Sequence, residues 1–304
     1  MDYFILFLAA LCIAAQFNVN KFYQKNYAGG LRDILFFPFA CGAAGVIFSV
    51  LTSICLYGKF PRFSVFSFIM AMLLAVITTL SALLGIFVMK YGKMSVYSIF
   101  MMLGGMILPY FYGAFFLSET VSAVRIAGFI VLICALPFSA FKQKGKNDGV
   151  SEKFYYIFCV LIFFLNGGVS IISKMHSVSS FAVPEANFIV SVNIWQTVIS
   201  GAVYCIYARF SGKIKEHELP KKSVSEKFYK FLVIFAYVGI SVTGFLFQLI
   251  SAKTVPAIVM FPFVTGGSII LSTVLARIFY GEKLAAPALA GVVISLIGTL
   301  LFIF

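Results

Sequence analysis

The chain has 304 residues, 62% of them hydrophobic and 11% charged, with a mean hydropathy of +1.05 and a formal net charge of +13. That composition excludes a soluble globule of ordinary make-up. Nor does the charge point to nucleic acid: the lysines are scattered between long apolar runs, and basic loops on one membrane face account for them.

Ten apolar spans follow one another with short connections. Span one, Tyr3–Lys21, turns polar toward its end through Gln16, Asn18 and Asn20. Span two is Ile34–Tyr57, and a turn over Gly58–Ser64 with Pro61 leads to span three, Val65–Lys90. Span four, Met94–Leu117, contains Gly104, Gly105 and Pro109, and span five is Val121–Phe141. The polar, basic stretch Lys142–Ser151 reads as a linker. Spans six and seven are Phe154–Lys174 and Pro184–Tyr207, followed by the lysine-rich loop Ala208–Lys227. Span eight is Phe228–Ala252, span nine Ala257–Phe279 and span ten Leu284–Phe304. The last is an uncharged run that, at about 1.5 Å of rise per residue, reaches across a hydrocarbon core of about 30 Å. Barrel strands would alternate apolar and polar residues over short segments, which these runs do not. A removable signal peptide is not expected, since the first span lacks a basic flank and a small-residue cleavage site. The six cysteines all fall inside apolar runs, with no metal-ligand or CxxC spacing, and read as packing residues.

The chain matches itself at long range. Glu119 corresponds to Glu282, Phe116 to Phe279, Gly128 to Gly291 and Lys90 to Lys253 at an offset of about 163 residues, with the Gly104-Gly105 and Gly266-Gly267 pairs one residue off. Lys21 and Lys174, which end spans one and six, match at about 153. The expected architecture is therefore an all-α polytopic membrane protein. Its ten transmembrane helices form two five-helix repeats, 1–141 and 154–304, joined by a basic linker, 142–153. Because five is odd, the repeats lie inverted in the membrane around a central cavity. Most of the 23 Lys and Arg fall in the loops after odd-numbered spans, leaving Lys59, Arg62, Arg125, Lys174 and Lys253 on the other side. The positive-inside rule then places the basic loops in the cytoplasm and both termini outside.

Two stretches carry a resemblance: "LSETVSAVRIAGFIVLICALPF" from Leu117 to Phe138 and "YGEKLAAPALAGVVISLIGTLLF" from Tyr280 to Phe302. A glutamate-ended junction followed by a last span rich in small residues resembles the repeat of the drug/metabolite transporter superfamily, EamA type. The small residue and lysine closing the first span of each repeat, Ala15 with Lys21 and Gly168 with Lys174, are similar to that family. The resemblance covers the whole chain and implies a ten-helix carrier, in a bacterial cytoplasmic membrane, with a cavity lined by both halves. It names no substrate, since members handle amino acids, nucleotide sugars, choline and cationic drugs. The first-span glutamate of the small multidrug branch is absent.

Each acidic residue lies in a loop or at a span end, and His176 and His217 are read as loop residues. A proton-coupled carrier ordinarily needs an intramembrane carboxylate, so facilitated diffusion, exchange or efflux is expected instead. Neutral polar residues are plentiful. Asn193 and Gln196 share a helical face next to Trp195, Gln16 and Asn20 are four apart, and Asn166, Gln248 and Thr265 add to the set. Tyr97, Met101, Tyr237 and Phe261 could add flat or soft apolar surface. Helix-to-helix hydrogen bonding competes with a cavity role for each of these residues, but the set, spread over both repeats, favours a wet cavity. Gly104, Gly105, Pro109, Pro262, Gly266 and Gly267 are candidate hinges or gates, with close helix packing as the alternative. The four span-end lysines read as snorkelling side chains or latches, and Glu119 and Glu282 as helix-start acids.

The function expected is a secondary transporter that moves a small polar or amphipathic metabolite, amino-acid-like or similar, by alternating access. The partners are then a small-molecule substrate and membrane lipids, with no nucleic acid, no cofactor, no metal and the oligomeric state open. Rival readings are an integral-membrane lipid-modifying enzyme and a non-transporting membrane partner. An intramembrane acid, a histidine cluster, a metal-ligand set and a GxSxG elbow are all absent from the sequence, so no enzyme is expected.

Overall fold

The computed structural model describes residues 2–27, 30–91, 94–139, 152–210, 224–280 and 286–302, with side chains described over these except 86–99, 136–139, 152–154, 224–227 and 286–288. All regular structure there is helical: α1 (Asp2–Tyr27), α2 (Leu31–Tyr57), α3 (Val65–Tyr91), α4 (Met94–Phe116), α5 (Ala123–Ser139), α6 (Glu152–Val178), α7 (Glu185–Phe210), α8 (Val224–Thr254), α9 (Ala257–Tyr280) and α10 (Ala286–Leu301). Seven of them (α1, α2, α3, α6, α7, α8 and α9) are long and apolar enough within their described residues to cross a membrane. The described parts of α4, α5 and α10 are shorter apolar helices. Phe4, Ile47, Phe60, Val65, Phe115, Phe116, Phe181, Phe210, Phe228 and Ile278 point outward. Serines and threonines such as Ser49, Ser53, Ser67, Ser268 and Thr299 are buried. Apolar groups outside and hydroxyls inside are what a hydrocarbon solvent favours.

Several helices outrun the apolar spans. α1 continues past Lys21 to Tyr27, and α2 begins before Ile34. Residues 152–153, expected in the linker, open α6; the rest of the linker lies outside the described residues. Hydropathy reports the hydrocarbon thickness, whereas the backbone hydrogen-bond ladder continues through the interface. Where helices stop, the local chemistry is visible. Gly58 closes α2 at φ 65°, its N–H bonded to the Ile54 carbonyl. Ser64 and Ser122 accept from Ser67 N–H and Arg125 N–H at the starts of α3 and α5.

α2 packs on α7, α5 on α10, α1 on α8 and α9, and α6 on α3 and α4, while α4 also meets α9. Close contacts give the directions. Gly42 meets Thr197, Gly45 meets Asn193, and Ser53 bonds Asn187, so α2 and α7 are antiparallel. Gly128 meets Leu301 and Leu132 meets Gly298, so α5 and α10 are antiparallel as well. α4 and α6 run parallel, with Gly104 against Phe163 and Leu108 against Gly167. The first turns of α7 (Glu185 to Val192) and α9 (Ala257 to Val264) are buried on every side.

The glycine pairs sit at close approaches. A Cβ on Gly104 would overlap the Phe163 carbonyl, one on Gly105 would lie 2.6 Å from Asn166 Nδ2, and one on Gly266 would overlap Thr299 Oγ1. Only Gly267 has ordinary room, with Ala10 Cβ at 3.4 Å. α4 and α9 continue helically through Pro109 and Pro262. Glycine has a packing reason at three of these four positions, and neither helix is broken at a candidate hinge.

Candidate functional site

Helices α1, α2, α3, α7 and α8, with Val169 of α6, enclose a cavity of about 1060 Å³. Its mouth is where α1 ends and α2 begins, marked by Gln24, Gly30, Leu31, Gly85 and Val203; its floor is near Ile13, Leu74, Ile189 and Gln248. Polar groups line it from both halves. Gln16 Nε2 donates to the Tyr237 hydroxyl at 2.8 Å, tying α1 to α8. Gln196 Oε1 accepts from Thr78 Oγ1 at 3.0 Å, and its Nε2 donates to Thr79 Oγ1 at 3.4 Å, tying α7 to α3. Asn193 Nδ2 donates to the Gly45 carbonyl at 3.2 Å, and Gln24 Nε2 donates to Asn20 Oδ1 at 3.3 Å. Phe37 packs edge-on against Tyr237 with ring centroids 4.9 Å apart. Tyr237→Phe leaves the Gln16 amide donor without its acceptor, and should lower stability by about 1 kcal/mol in a thermal unfolding comparison.

Of the residues singled out from sequence, Gln16, Asn20, Asn193, Gln196, Tyr237 and Gln248 line this cavity. The others are placed elsewhere. Asn166 donates to the Met101 carbonyl at 2.7 Å and thereby joins α6 to α4. Trp195 packs on Phe68 with centroids 5.1 Å apart, and its indole N–H lacks a partner among the described residues. Phe261 is core, 2% exposed, and Thr265 lies on the same helix, α9, away from the cavity wall. The Tyr97 side chain lies outside the described residues, as does Glu282. Gln24, Thr78, Thr79 and Ser241 also line the cavity without having been singled out. Gln24 was legible, since it continues the four-residue spacing of Gln16 and Asn20. The threonines were not, because hydroxyls in apolar helices usually bond their own backbone, as Thr78 also does to the Leu74 carbonyl.

At the opposite face charged and polar side chains join helix ends to one another. Ser118, at φ 52°, ends α4 in the left-handed region, and the Glu119 N–H reaches back to the Gly113 carbonyl at 3.1 Å. That turn aims the Glu119 carboxylate not at α5 but across to the second half. There it accepts from Ala257 N–H at 2.7 Å and Ile258 N–H at 3.0 Å, the first amides of α9. From α6, Lys174 Nζ donates to the Ala252 and Val255 carbonyls, both at 2.8 Å, where α8 ends, and lies 3.7 Å from Glu119 Oε1. An anion thus sits at a helix start and a cation at a helix end, each complementing the local dipole. Lys174 is 3% exposed and so does not snorkel; burial beside free carbonyls and a carboxylate gives its ammonium better partners than headgroups. Lys21 is exposed at the other face, over the Tyr280 ring at 5.0 Å.

His176 is no loop residue. It lies in the last turn of α6, 1% exposed, stacked on Phe188 with centroids 3.6 Å apart, and its Nε2 is 3.0 Å from Ser67 Oγ. Ser67 Oγ also accepts the Val183 N–H at 3.0 Å and lies 3.0 Å from Ser64 Oγ, so it ties the end of α6 to the start of α3 and the turn before α7. Nearby, Lys253 pairs with Glu185, which also accepts from the Tyr57 hydroxyl at 3.4 Å. Lys253 is half exposed but Glu185 is buried, so removing the lysine leaves a buried carboxylate with only the long Tyr57 hydrogen bond. Lys253→Met is accordingly expected to lower the unfolding midpoint, though less than Glu119→Ala, because the lysine itself is half in solvent.

No protein-family model matches the chain, and no curated protein does. Solved structures do resemble it. One crystal structure of a protein at 11% sequence identity superposes with a TM-score of 0.74 over 100% of this chain and 98% of that one. At that identity the likeness shows a shared fold and is silent on substrate. Fold and geometry together define a many-helix membrane-type protein with a mainly apolar cavity that carries polar groups from both halves and opens where α1 ends and α2 begins.

Proposed function

We propose that the chain is a secondary carrier that moves a small polar or amphipathic metabolite across a bacterial cytoplasmic membrane by alternating access. Its ten helices form two inverted five-helix repeats, 1–141 and 154–304, joined by the linker 142–153. The reading is carried by one observation: a cavity of about 1060 Å³ between the halves opens at one face, while at the opposite face the Glu119–Lys174 clamp ties the end of α4 and α6 to the α8–α9 junction. Helix packing supports the repeat. α1 lies on α8 and α9 as α6 lies on α3 and α4, and α2 and α5 run antiparallel to their counterparts α7 and α10. The resemblance to the EamA-type carriers agrees with this arrangement.

By the positive-inside rule the mouth faces the cytoplasm, so this is the inward-open state with its outer gate shut. The polar cavity groups bind the solute, and the clamp must release for the outer face to open. Transport then proceeds by rocking one repeat against the other around a site near the midplane. Counterflow in vesicles of the purified protein tests the reading. Uptake of labelled solute should saturate and be accelerated by the same solute trapped inside. Non-saturating flux without trans-acceleration would identify a channel instead.

A further inference from the structure

The cavity's chemistry deepens the carrier reading, on which this inference rests, by naming the class of solute. Among the described residues lining it there is no Asp, Glu, Lys, Arg or His. An ion leaving water needs an opposite charge or a ring of fixed dipoles in place of its hydration shell. The five helices that build the wall stay helical along it; a helix terminus faces the cavity at the mouth, where α2 begins, and Pro38 within α2 leaves the Ile34 carbonyl of the wall without its ladder donor, a single backbone dipole rather than a ring of them. Glu119, Lys174, Glu185 and Lys253 are engaged with one another and with backbone groups at the opposite face, and none of them lines the cavity.

The wall instead presents carboxamides: Gln16, Asn20, Gln24, Asn193, Gln196 and Gln248. A carboxamide sets a carbonyl acceptor beside N–H donors, the complement of the donor–acceptor edge of another amide or of a nucleobase; Gln196 spends both ends on Thr78 and Thr79, and Gln16, Gln24 and Asn193 spend N–H donors on protein acceptors. Gln248 near the floor and Ser241 above it have no hydrogen-bond partner among the described residues, and both face the cavity. Phe37, Tyr237 and Phe245 add flat apolar surface on which a planar ring can lie. We infer that the cavity takes an uncharged solute with an amide-like edge, of the nucleobase, nucleoside or aromatic carboxamide class, and excludes ions and zwitterions.

The test is binding to the purified full-length protein, read by equilibrium dialysis and by the ligand-induced rise in Tm. The probes are uridine and nicotinamide (uncharged), choline (cationic), citrate (anionic) and leucine (zwitterionic). Saturable binding of uridine or nicotinamide, and of none of the other three, is expected. Gln248→Leu should weaken that binding roughly tenfold, the loss of one well-made hydrogen bond. An unchanged Tm without ligand shows that this variant folds. Saturable binding of choline, citrate or leucine to the unaltered protein overturns the inference, as does failure of both uncharged probes to bind. Counterflow separates the two readings. Binding of uridine or nicotinamide without trans-accelerated flux removes the carrier and keeps the solute class, whereas trans-accelerated flux of a charged probe does the reverse.

Discussion

Glu119→Ala is expected to lower the stability of the protein by about 3–5 kcal/mol, because it strands the buried Lys174 ammonium without its counter-charge. Two further terms add to the loss. The Ala257 and Ile258 amides lose their acceptor, and the start of α9, wrapped on every side, offers no water in exchange. Lys174→Met should cost less. It leaves Glu119 held by two backbone N–H groups, and methionine fills the space of the lysine stem. The double variant Glu119→Ala/Lys174→Met is then expected to be less damaged than the sum of the single ones, since no buried charge is left alone. A thermal or denaturant double-mutant cycle reads this directly. Strict additivity would mean that the two side chains act independently, and the clamp would have to be abandoned as a unit. If the clamp gates the cavity as proposed, the same variants in vesicles should also speed the reaction of a thiol reagent with a cysteine introduced at Ser251.

Gly104→Ala should lower stability by about 1–3 kcal/mol or more, whereas Gly267→Ala should be neutral or stabilising by up to about 1 kcal/mol. The pair separates packing from flexibility. At Gly104 the new methyl would run into the Phe163 carbonyl, a backbone group that moves only if α4 and α6 part. At Gly267 it would meet Ala10 Cβ at ordinary contact distance, and the helix gains the better propensity of alanine. If the Gly266-Gly267 step instead works as a hinge, Gly267→Ala would abolish counterflow while the unfolding midpoint stayed put or rose. Retained flux in Gly267→Ala with a destabilised Gly104→Ala would assign the glycines to helix contact. Gly266 is less informative, because Thr299 crowds it and packing and hinge roles predict the same loss.

The sequence alone fixed the helical class and placed ten elements, since an apolar run long enough to cross hydrocarbon admits few other structures. It also showed the self-match that pairs Glu119 with Glu282 and Lys21 with Lys174, and the four-residue spacing that carries Gln16, Asn20 and Gln24 down one face of α1. Periodicity names a face but not what that face meets. Asn166 and Gln196 look alike in the sequence, yet one closes on a neighbouring helix carbonyl and the other on two threonines of the cavity wall. Glu119 reads as the acid that starts its own helix, whereas the left-handed turn at Ser118 sends it to α9. Lys174 reads as a lysine reaching for headgroups, and only the meeting of α6 with the α8–α9 junction buries it. Burial and partnership in hydrocarbon are set by which helices approach closely, and that is decided by small-residue contacts between segments far apart in the chain.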